Sequence, residues 1–212
     1  MNILVIAATP IEITPFLEFY KTKNYKDIDV LITGIGLTAT TYSLMRQLVF
    51  RKPGMIIQAG VGGCFDKKMA LGKVVAIRQE AIADQSVIEL NQLKTLFDLK
   101  LVPQDQYPFK KGWLINNNDV LKKVSLKKVK GISVNEITTS KQKMKFYSDT
   151  FKPIVESMEG AALHYVCLME KIPFVQIRAV SNYIAERNKN NWNMKESIIN
   201  LNKELIKLLE KL

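Results

Sequence analysis

Histidine occurs once in these 212 residues and cysteine twice. A Ser-His-Asp triad would have to use His164, which reads as a packed or exposed helical residue with no obvious partner. Cys64 and Cys167 are too few for a disulfide framework and lack zinc spacing, so the expectation is a protein that works without metal or other cofactor. Arginine is scarce as well. Lys and Arg together number 31 against 20 acidic residues, a formal charge of +11, yet the arginines are only Arg46, Arg51, Arg78, Arg178 and Arg187. Nucleic-acid readers use arginine forks clustered with aromatics. Here lysine is spread along the chain, densest over 122–130. That predicts a solvated surface able to steer a small anion, with no nucleic acid as partner. No apolar run reaches the roughly 18 residues needed to cross a bilayer. The opening segment lacks a basic stretch and a cleavage site, so it reads as a first strand and the expected location is cytoplasmic. Neither a G-x-S-x-G elbow nor a Walker loop occurs.

What is present is a packed α/β chain, with 47% apolar and 24% charged residues. No repeat, low-complexity tract or linker divides it, which predicts one domain over 1–212. Residues 3–8 form a continuous apolar run, typical of a strand buried on both faces. A helical pattern follows to Tyr20. Further strands are expected at 30–33, 55–59, 72–78, 131–137 and 174–180, and helices at 37–49, 159–171 and 193–212. The last carries Ile198, Leu201, Leu205, Leu208 and Leu209 on one stripe. Residues 91–101 have some helical spacing, and 116–118 form a turn. The alternation predicts a twisted, mostly parallel central sheet between two layers of helices. In such a sheet ligands bind beyond the carboxyl ends of the strands. Five features fall there: the turn with Glu12, Gly34–Gly36, the glycine-rich turn expected at 60–63, residues 134–137, and Ser181-Asn182.

Each candidate has two readings. Glu12 either closes a capping box on Thr9 or, if Thr14 caps a helix with Pro15 at its first position, lies in the loop facing the crevice. Gly34-Ile35-Gly36 with Ala39 formally fits a dinucleotide pattern, but Gln58 rather than an acid stands on the next strand, so a tight turn with open amides is preferred. Gly60 to Gly63 bring backbone close to another strand or to a ligand. Glu156 and Glu159 bracket Met158 at a helix start, where acids complement the dipole. Glu159 could equally accept two sugar hydroxyls with Met158 on the sugar's apolar face. Arg178 is alone on an apolar strand and needs an acid or a polar cavity.

In this order these residues resemble the nucleoside phosphorylase and nucleosidase superfamily, over nearly the whole chain. Residues 155–160, V-E-S-M-E-G, look like its ribose-binding V-E-M-E motif with one residue inserted. Residues 178–182, R-A-V-S-N, look like R-A-[IV]-S-D with Asn for Asp. Glu12 matches the nucleosidases' catalytic glutamate. The M-E-G-A-A start and the spacing from Ser181 to Arg187 are similar to the futalosine hydrolase group. The chain departs from the nucleosidases at Val61, where they carry Ser, and at Lys73. The resemblance implies hydrolysis of a purine N-glycosidic bond, with hypoxanthine released from futalosine. Glu12 would be the base that activates water and Arg178 would hold that water or Glu12. Met158 and Glu159 would hold the ribose, with Gly60, Val61 and Ser181 lining the site. Asn182 cannot act as a general acid, but its amide can donate to O6 or N7 of a 6-oxopurine. The loop 34–37 offers no arginine for phosphate and Leu37 would narrow it, which favours water over phosphorolysis. A partner for the substrate's benzoate tail is expected near 109–113. The family further implies a homodimer or higher homo-oligomer.

Overall fold

The computed structural model describes residues 2–23, 25–184 and 189–211. In chain order its elements are β1 (Ile3–Ala7), α1 (Thr14–Lys23), β2 (Ile28–Ile32), α2 (Leu37–Phe50), β3 (Met55–Cys64), β4 (Val74–Ile82), β5 (Ser86–Glu89) and β6 (Gln92–Thr95). There follow β7 (Phe109–Lys110), β8 (Trp113–Ile115), α3 (Asp119–Lys123), β9 (Lys128–Ser133), α4 (Lys141–Phe151), β10 (Val155–Ser157), α5 (Gly160–Met169), β11 (Phe174–Tyr183) and α6 (Met194–Leu209).

The apolar strands alternate their side chains between two cores, as period-2 geometry requires. Ile3, Val5, Met55, Ile57, Val175 and Ile177 pack with Phe16 of α1 and with Leu201, Leu205 and Leu208 of α6. Leu4, Ile6, Ile56 and Phe174 face the other way, against Leu44 of α2 and Leu163, Val166 and Cys167 of α5. The expected helix–sheet–helix layering is therefore present. β2, β1, β3 and β11 run parallel.

Beyond them the sheet is mixed and curls. β11 pairs antiparallel with β4, β4 parallel with β9, β9 parallel with β10, and β10 antiparallel with β3. These five strands close a ring, which strand periodicity alone does not announce.

The structure corrects three local expectations. Residues 60–63 are not a turn: β3 continues to Cys64 because β11 pairs with it along its whole length, from Phe174↔Ile56 to Tyr183↔Cys64. Residues 91–101 are not helical. Leu90 and Asn91 both have positive φ (49° and 59°) and make a two-residue turn between β5 and β6, the geometry that matches the twist of a hairpin. Strand β9 ends at Ser133, so 134–137 is loop. The 116–118 turn is present, with Asn116 Oδ1 accepting from the Asn118 backbone. Among the described residues no helix is long and apolar enough to cross a membrane. Both cysteines are buried and unpaired.

Candidate active site

A cavity of about 380 Å³ opens at the carboxyl ends of the central strands. All five features expected there contribute to its lining: Glu12, Ile35, Gly62 with Gly63, Ile137, and Ser181 with Asn182. Val61, Met158 and Glu159 line it too. From loop 34–37 it is Ile35 that reaches the cavity. Leu37 lies instead against a neighbouring hollow with Thr38 and Tyr42. Residues 109–113 do not line it; Phe109 packs on Phe97 and Tyr165, and Trp113 on Phe151. Arg187 lies outside the described residues.

Glu12 closes a turn on Thr9 and also reaches the cavity, but Thr14 does not cap a helix: it is itself helical (φ −51°, ψ −49°) and runs on from the preceding turn. A short 3-10 turn over Pro10–Ile13 follows β1. Glu12 Oε2 accepts from the Thr9 backbone and hydroxyl, at 3.1 Å each. Oε1 accepts from the Val61 N–H at 3.0 Å. The same carboxylate thus caps its own turn and crosses to β3 at the cavity wall. Burial pushes its carboxyl above the ordinary value, and the nearby Arg178 charge and the Val61 N–H only partly oppose this. From α6, Asn202 donates to the Glu12 carbonyl at 2.8 Å and accepts from the Phe16 N–H at 3.0 Å.

Arg178 is 1% exposed. Its acidic partner is Glu159, at 3.3 Å. It also donates to Gln58 Oε1 and to the Val61 carbonyl. A side chain at position 60 would meet Arg178 Nη1 at 2.3 Å and Glu12 Oε1 at 3.0 Å, so only glycine lets both groups approach β3 here. The other Glu159 oxygen accepts from the Gly36 N–H at 3.2 Å. Gly36 has φ 93°, and the open amide of this turn faces a protein carboxylate.

On β11 the register with β3 slips between Val180 and Asn182. Such a bulge re-aims side chains and is common beside binding sites. The Ser181 hydroxyl lies 2.9 Å from Asn182 Oδ1, where it can donate. Asn182 Nδ2 donates to the Tyr183 carbonyl at 3.2 Å, leaving its second proton unassigned. The Ser181 hydroxyl has the Gly62 carbonyl within reach as well, at 3.3 Å.

Behind this wall lies a polar network that the sequence pattern does not reveal. Glu80 is fully buried, accepts from Ser133 Oγ at 3.0 Å, and has its carboxyl pushed up to about 8 by burial. The Gln176 amide is satisfied with its nitrogen toward Glu80 and His164 Nε2 and its oxygen toward Arg178 Nε. His164 Nδ1–H then donates to the Leu114 carbonyl. The histidine is buried, which lowers its pKa to about 4. It is packed and neutral rather than catalytic.

Sequence reasoning also passed over Ile184, Trp192 and Met194, which line the cavity from the β11 end and the approach to α6. No spacing signal marks them, because they meet the strand ends only through the fold.

The model of the phosphorylase superfamily matches residues 2–212. The chain belongs to this family. It is similar to futalosine hydrolase of Thermus thermophilus, 24% identical over 97% of this chain and 94% of that protein. It is also similar to 5'-methylthioadenosine/S-adenosylhomocysteine nucleosidase of Staphylococcus epidermidis, 23% identical over 78% of this chain and 73% of that one. Among solved structures, futalosine hydrolase of Helicobacter pylori superposes with a TM-score of 0.82 at 20% identity, covering 100% of this chain and 98% of the other. That superposition identifies the fold.

Proposed function

We propose that this member of the phosphorylase superfamily is a purine nucleosidase that hydrolyses the N-glycosidic bond of futalosine, releasing hypoxanthine. Cleavage leaves positive charge on the ribose and negative charge on the base, so a catalyst must meet both. Glu12 takes a proton from water as its oxygen bonds to C1′. The C1′–N9 pair departs with the purine. Asn182 Nδ2–H donates to N7 or O6 of the leaving ring, and the ring is then protonated by solvent. Glu159 has lone pairs beyond its contacts to Arg178 and Gly36, and these accept the ribose hydroxyls over Met158. Arg178 acts by fixing Glu159 and by its charge beside Glu12; Gly60 leaves room for both, and Val61 orients the Glu12 oxygen.

The base assignment is supported by one observation: Asn182 lines the cavity with its amide oxygen engaged by Ser181 and one amide proton left without an assigned partner. The choice of water over phosphate is supported by the lining: among the described residues, none that lines the cavity is Lys or Arg. Trp192 and Met194 offer an apolar ring and a thioether to an aromatic tail. Along α2, Tyr42, Val49 and Phe50 are exposed, at 66%, 81% and 75%, which supports the expected homo-oligomer.

The test is incubation of the purified protein with futalosine, inosine and methylthioadenosine, with and without phosphate, followed by identification of the products. Phosphate-independent hypoxanthine from futalosine is expected. Adenine from methylthioadenosine alone would move the assignment to the other nucleosidase type, and phosphate-dependent release from inosine would make it a phosphorylase.

A further inference from the structure

The Arg178 guanidinium stands beside both carboxylates of the proposed mechanism, and two glutamines set its plane. Gln58 and Gln176 pair across β3 and β11. Gln58 Oε1 accepts from Nη2 at 3.1 Å, and the Gln176 amide oxygen accepts from Nε at 3.2 Å. These contacts fall on different nitrogens of a planar fork, so together they fix its rotation.

A glutamine amide can turn either end toward a neighbour, but only its oxygen suits Arg178. The surroundings of Gln176 settle which end that is. Its nitrogen donates to His164 Nε2 at 2.9 Å and to Glu80 at 3.2 Å. His164 Nδ1–H is committed to the Leu114 carbonyl, so Nε2 of the neutral ring is an acceptor. Ser133 holds Glu80 and also accepts from the Ala161 N–H at the start of α5, at 2.8 Å. Two glycines leave room for the set. A side chain at 160 would meet the Gln176 amide at 2.4 Å and Glu80 at 2.7 Å, and one at 131 would meet Glu80 at 2.6 Å. Gln176 and His164 are 0% exposed, and the mechanism above uses neither. Such a set is costly to bury, and apolar residues of similar volume would fill the same space.

We propose that Gln176 is a positioning residue: oriented by His164 and Glu80, it locks the Arg178 guanidinium so that its charge stays beside Glu12. The inference rests on the hydrolase reading above and extends it from the groups that meet the substrate to those that hold them. Among the described residues, the charges acting on Glu12 are Arg178, which favours the ionised base, and Glu159, which opposes it. Arg178 Nη1 and Glu12 Oε1 both lie within 3.0 Å of the point that a side chain at Gly60 would occupy. A guanidinium released from Gln176 can rotate out of that gap, leaving the burial of Glu12 less opposed. Glu159 keeps its contact to the Gly36 N–H, so the grip on the ribose should change little.

The experiment measures kcat and KM for futalosine across pH in the unaltered protein and in Gln176→Leu, which is close in size but offers Nε no acceptor. Near neutral pH kcat should fall roughly tenfold or more, with KM within about twofold. The acidic limb of the kcat profile should move to higher pH. An unmoved limb overturns the inference whatever the loss of rate, because a purely structural defect lowers the amplitude and leaves the titration of the base in place.

Carbon-13 NMR of the Glu12 carboxyl reads the same change without turnover: its midpoint should be higher in the variant, and equal midpoints overturn the inference. A protein that shows this shift but releases no hypoxanthine from futalosine would defeat the hydrolase reading alone. Should Gln176→Leu fail to fold, neutron diffraction from the unaltered protein supplies the test. Deuterium is expected on His164 Nδ1 and on the Gln176 nitrogen facing Nε2. Deuterium on Nε2, with the Gln176 nitrogen turned toward Arg178, overturns the inference.

Discussion

The three-layer half of the molecule and the closed ring share β3 and β11, yet different chemistry holds them. Around β1 the buried groups are aliphatic and aromatic, packed on both faces by helices. In the ring the buried groups include Arg178, Glu80 and Gln176, with Glu159 at the start of α5. Apolar packing tolerates the loss of a side chain in proportion to the volume removed. A polar network fails more abruptly, because removing one member strands the others. The first half should therefore govern whether the chain folds, and the second whether it works.

Four substitutions press on that contrast. Glu12→Gln keeps the size of the side chain but removes the proposed base, and turnover should fall about a thousandfold; its NH2 must face either Thr9 or the Val61 N–H, so the unfolding midpoint should also drop, by about 1–2 kcal/mol in stability. A variant with full hypoxanthine release would end the base assignment. Arg178→Met should cost about 4 kcal/mol by urea unfolding, since Glu159 and Gln58 lose their buried partner, and it should abolish turnover as well. Leu205→Ala lies on the other side of the comparison. Fully buried against the sheet, it should cost about 3 kcal/mol yet leave kcat near normal well below the melting temperature. A large drop in kcat there would show that the two halves are not separable.

Glu80→Gln should have the smallest effect at neutral pH. Glu80 has its ordinary value of 4.5 when unfolded and about 8 when folded. Between those values the folded chain holds a proton that the unfolded chain has released, so stability falls as pH rises through this window. The amide variant cannot ionise and should flatten that decline, as read from urea midpoints taken from about pH 5 to about pH 8.

The same division explains what could be read from the sequence. β1, α2, β11 and α6 were legible because each carries a full apolar face with its own period. The ring was not, since its closure depends on the three-residue strand β10 and on glycines at 60, 62 and 63 that resemble a turn when β11 is out of view. The hairpin at 90–91 was hidden because neither Leu90 nor Asn91 is glycine. Glu12, Arg178, Glu159 and Asn182 stood out as polar residues at strand ends or isolated among apolar neighbours. Glu80 and Gln176 look like ordinary strand residues until the partners that surround them are in place.

The contact between Asn202 and Glu12 spans 190 positions of the chain. The loop bearing the proposed proton acceptor is made 190 positions before its anchor. A nascent chain stalled before α6 would carry every residue of the first strand and its turn, with nothing on the far side to hold the Glu12 carbonyl. The Glu12 carbonyl gains this anchor only once α6 has been made and packed.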